Sequence, residues 1–335
     1  MSKGADYFNM AFLSEASYVD FTPSNGYSDL VIGAALQDRD RNGRFTEAQA
    51  SNFVSTWRIL HHQPDTDSGF SATLFQHKTT GRYVLGFRGT ADWDDLIITD
   101  GSDIVLDGLA IDQIVDMYNY WQRLVTPEGQ TYQAACLEIL EEESAGLAIA
   151  KAGQFVPGSG LTADAYLEWL YSRTDIVIDN GVGETVRAIK FVPSDEAFSD
   201  AQQYGVGGSD WKLDTGGVDV TGHSLGGHLA VAFTRLFHDV GAVAVTINGA
   251  GFATGGIPGI GGDAGINVRN LFGTLTGHQD RGFPGDRIWN LYGDKAPEFV
   301  TMDSYFGLQQ QGAHQPVYIE DVGVIGTSLG HNVSQ

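Results

Sequence analysis

The chain has 335 residues, 42% of them hydrophobic, with 42 acidic against 19 basic side chains and a formal charge of -23. That length is long for one domain and short for three, and it can bury a large core. The acidity argues against a nucleic-acid partner, whose phosphates would be repelled, and against an anionic membrane surface unless calcium neutralises the carboxylates.

The single cysteine, Cys136, excludes an intramolecular disulfide and reads as a small buried residue on a helix. Met1 to Phe21 has no basic end leading into a long apolar run, so it is no Sec signal, and no stretch is long enough to span a bilayer. In chain order, residues 1–36 read as helical, and 47–60 as an amphipathic helix carrying Phe53, Val54, Trp57 and Leu60. Residues 68–76 and 82–89 read as an antiparallel hairpin about Thr79-Thr80-Gly81. Residues 104–125 carry a helical pattern from Ile111 to Leu124, and 133–152 read as a further helix with glutamates on its polar face. The pattern breaks between Ala145 and Val218, with short strands near 175–178 and 186–192. The region 145–210 is therefore a lid- or cap-like insertion, with 153–172 as the lid candidate. From Val218 onward the order is strand, helix, strand (Val243 to Ile247), Gly-rich loop, strand (Ile288 to Tyr292). This alternation predicts an α/β fold with a mostly parallel central sheet and helices on both faces. The expectation is one domain over 1–335, with a helical N-terminal segment over 1–65. The sequence ends in what looks like a starting helix, which suggests a piece of a longer natural chain.

Val218-Asp219-Val220 runs into Thr221-Gly222-His223-Ser224-Leu225-Gly226-Gly227, and an apolar helix-compatible stretch follows from Leu229 to Phe237. A strand entering Gly-x-Ser-x-Gly and leaving as a helix is the nucleophile elbow of an α/β-hydrolase. The motif alone is common by chance in a chain with 44 glycines; the flanking strand and helix make it specific. Ser224 is the candidate nucleophile. In such folds the acid and the base follow the serine, each after a later strand. Asp294, closing Ile288-Trp-Asn-Leu-Tyr-Gly-Asp294, occupies the acid's place, though Gly-Asp before a proline is also ordinary turn chemistry. His314 and His331 lie downstream as candidate bases and stand nearly level on the residues alone. Leu225, directly after the nucleophile, supplies one oxyanion N–H. Thr90, after Phe87-Arg88-Gly89, supplies the other, with Gly89 letting the backbone approach.

Phe87-Arg88-Gly89-Thr90 and Gly222-His223-Ser224-Leu225-Gly226-Gly227 together resemble a class 3 lipase. The chain is more closely similar to the catalytic domain of bacterial calcium-dependent lipases exported by the type I pathway, over roughly 70–335. The resemblance implies acyl ester hydrolysis, mobile lids over an apolar cleft, and a second histidine after a Gly-x-His stretch as the base. Gly312-Ala313-His314 matches the first element and His331 the second, which selects His331. It also implies a secreted protein exported without an N-terminal signal; the composition equally describes a cytoplasmic one. The group's Gly-Gly-x-Gly-x-Asp repeats are absent, Gly261-Gly262-Asp263 being a faint echo. The N-terminal 65 residues do not match it.

Asp38-Arg-Asp40-Arg-Asn42-Gly43-Arg-Phe45 is the first half of an EF-hand loop, so Asp38, Asp40 and Asn42 are candidate calcium ligands. The twelfth position is Gln49 rather than glutamate, which leaves an acidic helix-to-helix loop as the other reading. The aspartates at 92, 94, 95, 100, 103 and 107 are candidates for a second ion or for helix caps. His223 and His228 are expected to pack beside the elbow without moving protons. His61 and His62 are neighbours that would not face one site, so no metal role follows. No organic cofactor is expected. The functional expectation is a serine-dependent lipid ester hydrolase: a triacylglycerol lipase or carboxylesterase working at an oil–water interface. The alternatives are a phospholipase A1 and a catalytically silent module that binds lipid or calcium.

Overall fold

A computed structural model describes residues 3–22, 26–89, 108–140, 173–179, 185–213, 217–254, 264–293 and 308–317. Thr90, Asp294, His331, the aspartates from 92 to 107, the lid candidate 153–172 and the loop 261–263 lie outside the described residues. Among the described residues no helix is long and apolar enough to cross a membrane.

The chain opens with α1 (Lys3–Ala16), α2 (Asp29–Gln37) and α3 (Glu47–Thr56). Next come β1 (Trp57–Gln63), β2 (Ala72–His77), β3 (Tyr83–Phe87) and α4 (Ile111–Val125). A central stretch holds β4 (Gln133–Ile139), β5 (Ile176–Asp179), β6 (Thr185–Pro193) and the short α5 (Ser194–Ala197). The last part runs β7 (Val218–His223), α6 (Leu225–Leu236), β8 (Ala244–Ile247), β9 (Phe252–Ala253) and α7 (Ala264–Leu275). It closes with β10 (Ile288–Gly293), β11 (Leu308–Gln309) and β12 (Ala313–Val317).

Seven strands form one sheet in the order β1-β2-β3-β7-β8-β10-β12. The β2–β3 pairing is antiparallel, as the hairpin pattern predicts; β1–β2 is antiparallel too, and every pairing from β3 to β12 is parallel. Side chains alternate across a strand, so neighbours serve opposite faces. Leu74, Leu85, Ala244 and Ile288 join a core with α4, α6 and α7. Phe75, Val84, Val245 and Leu291 join a second core with α1, α2 and α3. Helices therefore cover both faces of a mostly parallel sheet, as expected. All twelve residues of α6 are buried, as its largely apolar run from Leu229 to Phe233 allows.

Four sequence expectations are corrected. The helical reading of 1–36 breaks into α1 and α2, with 17–22 and 26–28 outside both helices. There Val19 and Phe21 are buried on alternate positions, Asp20 accepts from the Thr22 N–H (2.8 Å), and Pro23 disfavours helix at Thr22. The helix over 47–60 stops at Thr56, because Trp57 and Ile59 are claimed by pairing with β2. The helix expected from 133 is instead β4, with Cys136 half-buried on a strand. It pairs antiparallel with β6, and β6 with β5, in a separate three-stranded sheet. A partner fifty residues away outweighed local helix preference, which is weak. The Gly-rich loop before β10 contains α7, whose buried Val268, Leu271, Phe272 and Leu275 keep a helical spacing that was legible.

The Asp38–Asn42 loop is turn chemistry. The Asp38 carboxylate accepts from the Asp40 N–H (3.0 Å), and Asn42 adopts φ 61°. Gly43 abuts α2, where a Cβ would overlap backbone atoms of Ala35 and Leu36. Gln49, at the place of the bidentate ligand, accepts from the Thr46 N–H (2.8 Å) in a capping box that starts α3. Among the described residues no group of three or more His, Cys, Asp or Glu is placed to hold a metal ion.

Candidate active site

β7 delivers Ser224 at its C-terminal end, and α6 begins at the next residue. Ser224 has φ 56° and ψ -121°, a backbone corner that residues with a Cβ rarely adopt and that costs on the order of 1–3 kcal/mol. Its surroundings over-determine that corner. The Ser224 N–H donates to Ile247 O (3.0 Å), and Ser224 O accepts from the N–H groups of Gly227, His228 and Ala250. The two motif glycines are required by close approach. A Cβ on Gly222 would overlap the Gly226 carbonyl, and one on Gly226 would overlap the Phe87 carbonyl of β3. Strand, turn, helix and the neighbouring strand meet with no room for a methyl group.

Leu225 is the first residue of α6, so its N–H is among the donors a helix start leaves without an intrahelical partner. The helix dipole adds partial positive charge there, which favours a developing anion. Gly89 ends the described part of the turn after β3, and a Cβ on it would overlap the His223 carbonyl. The expected oxyanion loop is thus in contact with the elbow up to the residue before Thr90. Ser224 itself is 3% exposed. A cleft of about 390 Å³ reaches Leu225 and is lined also by Asp67, Ser68, Ile111, Asp112 and Gln113.

The two elbow histidines are held as structural groups. The His228 Nδ1–H donates to Gly251 O (3.1 Å), Nε2 accepts from the Ala110 N–H (3.3 Å), and the ring stacks on Phe252. His223 Nδ1 is 2.8 Å from the hydroxyl of Tyr18. His61 and His62 reach different partners, Tyr120 and Thr73 respectively. His314 pairs with Asn290 on the exposed edge strand β12, three strands from β7, or about 14 Å across the sheet. The structure does not bring it to Ser224. Tyr18 was not singled out by its sequence; the only signal was an aromatic residue just past an amphipathic helix.

Burial holds three histidines neutral, which has a consequence for acid stability. It pushes His228 and His62 down to about 4 and His61 to about 3, from 6.5. The unfolded chain binds those protons first, so their contribution is full above pH 6.5 and lost as pH falls toward 4. Asp116 and Glu15 act oppositely: burial raises both, so their contribution is full at low pH and lost as pH rises. Three rings outweigh two carboxyls. The melting temperature is expected to fall by several degrees from about pH 7 to about pH 4.5. A flat or rising profile by calorimetry would contradict this account.

The order of the main sheet, its parallel run and the strained serine between β7 and α6 define an α/β-hydrolase fold. Among solved structures the chain is similar to the Lip2 lipase of Yarrowia lipolytica, at 15% identity and a TM-score of 0.36, covering 96% of this chain and 80% of that one. It is similar to lipase II of Rhizopus niveus, at 12% identity and a TM-score of 0.39, covering 93% and 80%. It is also similar to the triacylglyceride lipase of Rhizomucor miehei, at 13% identity and a TM-score of 0.35, covering 94% and 81%. Likeness this distant carries no functional argument. No protein-family model matches the chain, and no curated protein matches it.

Proposed function

We propose that the protein is a serine-dependent carboxylic ester hydrolase acting on lipid esters, a triacylglycerol lipase or carboxylesterase. The observation that carries this reading is Ser224, held at φ 56° at the bend between β7 and the N-terminus of α6. Such strain persists only where the surroundings over-determine it, and at a strand-to-helix turn between close-packed glycines it is the signature of a nucleophile elbow. In the proposed reaction the Ser224 Oγ attacks the ester carbonyl carbon while His331 takes its proton. The Leu225 and Thr90 N–H groups bind the oxyanion. His331 then protonates the leaving alcohol, and Asp294 orients the ring and stabilises its cation. Water attacks the acyl-enzyme with His331 as base, releasing the fatty acid. The place of His314 on the far edge strand supports His331 as the base.

The cleft at Leu225 favours a neutral ester over a phospholipid. Asp67 and Asp112 line it, and only Asp112 has a described cationic partner, Arg187 at 2.7 Å. A phosphate placed beside these carboxylates is repelled. Fatty-acid release is expected to be at least about tenfold faster from a triglyceride emulsion than from phosphatidylcholine or phosphatidylglycerol vesicles, a preference on the order of 1.4 kcal/mol. Equal or reversed rates would favour a phospholipase A1. A fluorophosphonate tests the chemistry itself, since only an activated serine reacts. Labelling located at Ser224 by peptide mass mapping is expected, and a chain left unlabelled would point to a silent binding module.

A further inference from the structure

The N-terminal segment reaches into the elbow. Ser17 and Tyr18 follow α1 directly, and Ser17 lies so close to β3 that a Cβ on Gly86 would overlap its hydroxyl. The Tyr18 hydroxyl stands 2.8 Å from His223 Nδ1, on the residue before the nucleophile. The same oxygen is hydrogen-bonded to the backbone of Gly89, and a Cβ on Gly89 would overlap both that oxygen and the His223 carbonyl. One phenol thus touches the turn that leads to one oxyanion donor and the residue two before the other. With the Gly89 N–H donating to the phenol oxygen and the phenol O–H donating to Nδ1, all three groups are satisfied.

We propose that Tyr18 is a positioning residue for ester hydrolysis, holding the turn at Gly89 against His223 and so against the Leu225 N–H. This rests on the hydrolase reading. Leu225 belongs to α6 and is fixed by the elbow, and Arg88 is held to the hairpin side, its N–H donating to Ser71 O (3.0 Å) and its guanidinium pairing with Asp65; Tyr18 adds the tie from Gly89, the next residue, to the elbow. Burial pushes the phenol well above its ordinary value, so it stays protonated and able to donate across neutral pH. Oxyanion donors act only when aimed at the charge of the tetrahedral intermediate, so slack in one of them weakens the transition state and leaves the ground-state complex nearly unchanged.

The test is Tyr18→Phe, which keeps the ring and removes the hydroxyl. Removing an oxyanion donor outright costs about 100- to 1,000-fold in kcat, so loosening one is expected to cost roughly 10- to 100-fold, with KM within about twofold. Fluorophosphonate labelling of Ser224, which passes through the same oxyanion site, is expected to slow by a similar factor. The ring-nitrogen NMR signal of His223 Nδ1 is expected to shift as its partner disappears, while the melting temperature stays within about 3 °C. Wild-type labelling with equal labelling and kcat in the variant would overturn the role of Tyr18 alone. A loss confined to KM, or one that tracks a lower melting temperature, would also overturn it, because a purely structural residue behaves that way. A wild type that is not labelled at all removes the hydrolase reading, and this inference with it.

Discussion

Ser224→Ala is expected to lower ester hydrolysis by about 10⁵-fold or more while leaving the fold in place, because the nucleophile acts as a unit with its base and loses nearly everything alone. The companion variant Ser224→Gly separates the two properties of this position. Alanine keeps a Cβ at φ 56° and so keeps the backbone strain; glycine adopts that corner freely. The strain is worth about 1–3 kcal/mol, and the extra freedom of an unfolded glycine costs about 0.5–1 kcal/mol. The net expectation is that Ser224→Gly is inactive and more stable than Ser224→Ala by about 1 kcal/mol. Denaturant melts of the two variants check this directly. Equal stabilities would mean that the bend stores no energy. Surviving turnover in the alanine variant would remove Ser224 from the chemistry.

The second large effect is on folding. Gly226→Ala places a methyl group onto the Phe87 carbonyl and within 2.9 Å of the Arg88 carbonyl carbon, and Gly222→Ala places one onto the Gly226 carbonyl. These are backbone atoms of β3 and α6, which no side-chain rotation can relieve. Each substitution is expected to cost more than about 4 kcal/mol, a large part of the roughly 5–15 kcal/mol that holds a domain together. Loss of soluble protein, or a steep fall in the urea midpoint, is the expected readout. Gly273→Ala supplies the control. It lies in α7 with nothing within 4 Å of its Cβ, so the same change there is expected to stabilise by about 0.5–1 kcal/mol through helix preference. If Gly226→Ala melts like Gly273→Ala, the tight contact between elbow and β3 is not a constraint on the fold.

Local pattern and motif were enough for much of the architecture. The hairpin β2–β3, the helix from Ile111, the strands β7, β8 and β10, and the elbow at Ser224 were all legible. Each depends on residues close in sequence: turn chemistry at Thr79 to Gly81, helical spacing from Ile111 to Leu124, and glycines two positions either side of a serine. The same local reading misassigned Gln133–Ile139, where Ala134, Ala135 and Leu137 suit a helix or a strand equally. It also carried the helix at Glu47 four residues too far, because Trp57 and Leu60 continue a helical spacing that pairing with β2 overrides.

By itself, then, the sequence determined the strand–serine–helix bend at Ser224, the order of elements around it and the acidic, single-cysteine character of the chain, since these are properties of neighbouring residues and of composition. Only the tertiary structure decided which face each helix covers, that His314 sits three strands from the serine, and that an Asp-x-Asp-x-Asn-Gly run closes a turn onto α2 and α3. It alone brought Tyr18 to Gly89, and to His223 across a separation of 205 residues. The physical reason is that contacts between distant segments are selected by burial and by the satisfaction of backbone hydrogen bonds over the whole chain, and no local window contains that competition.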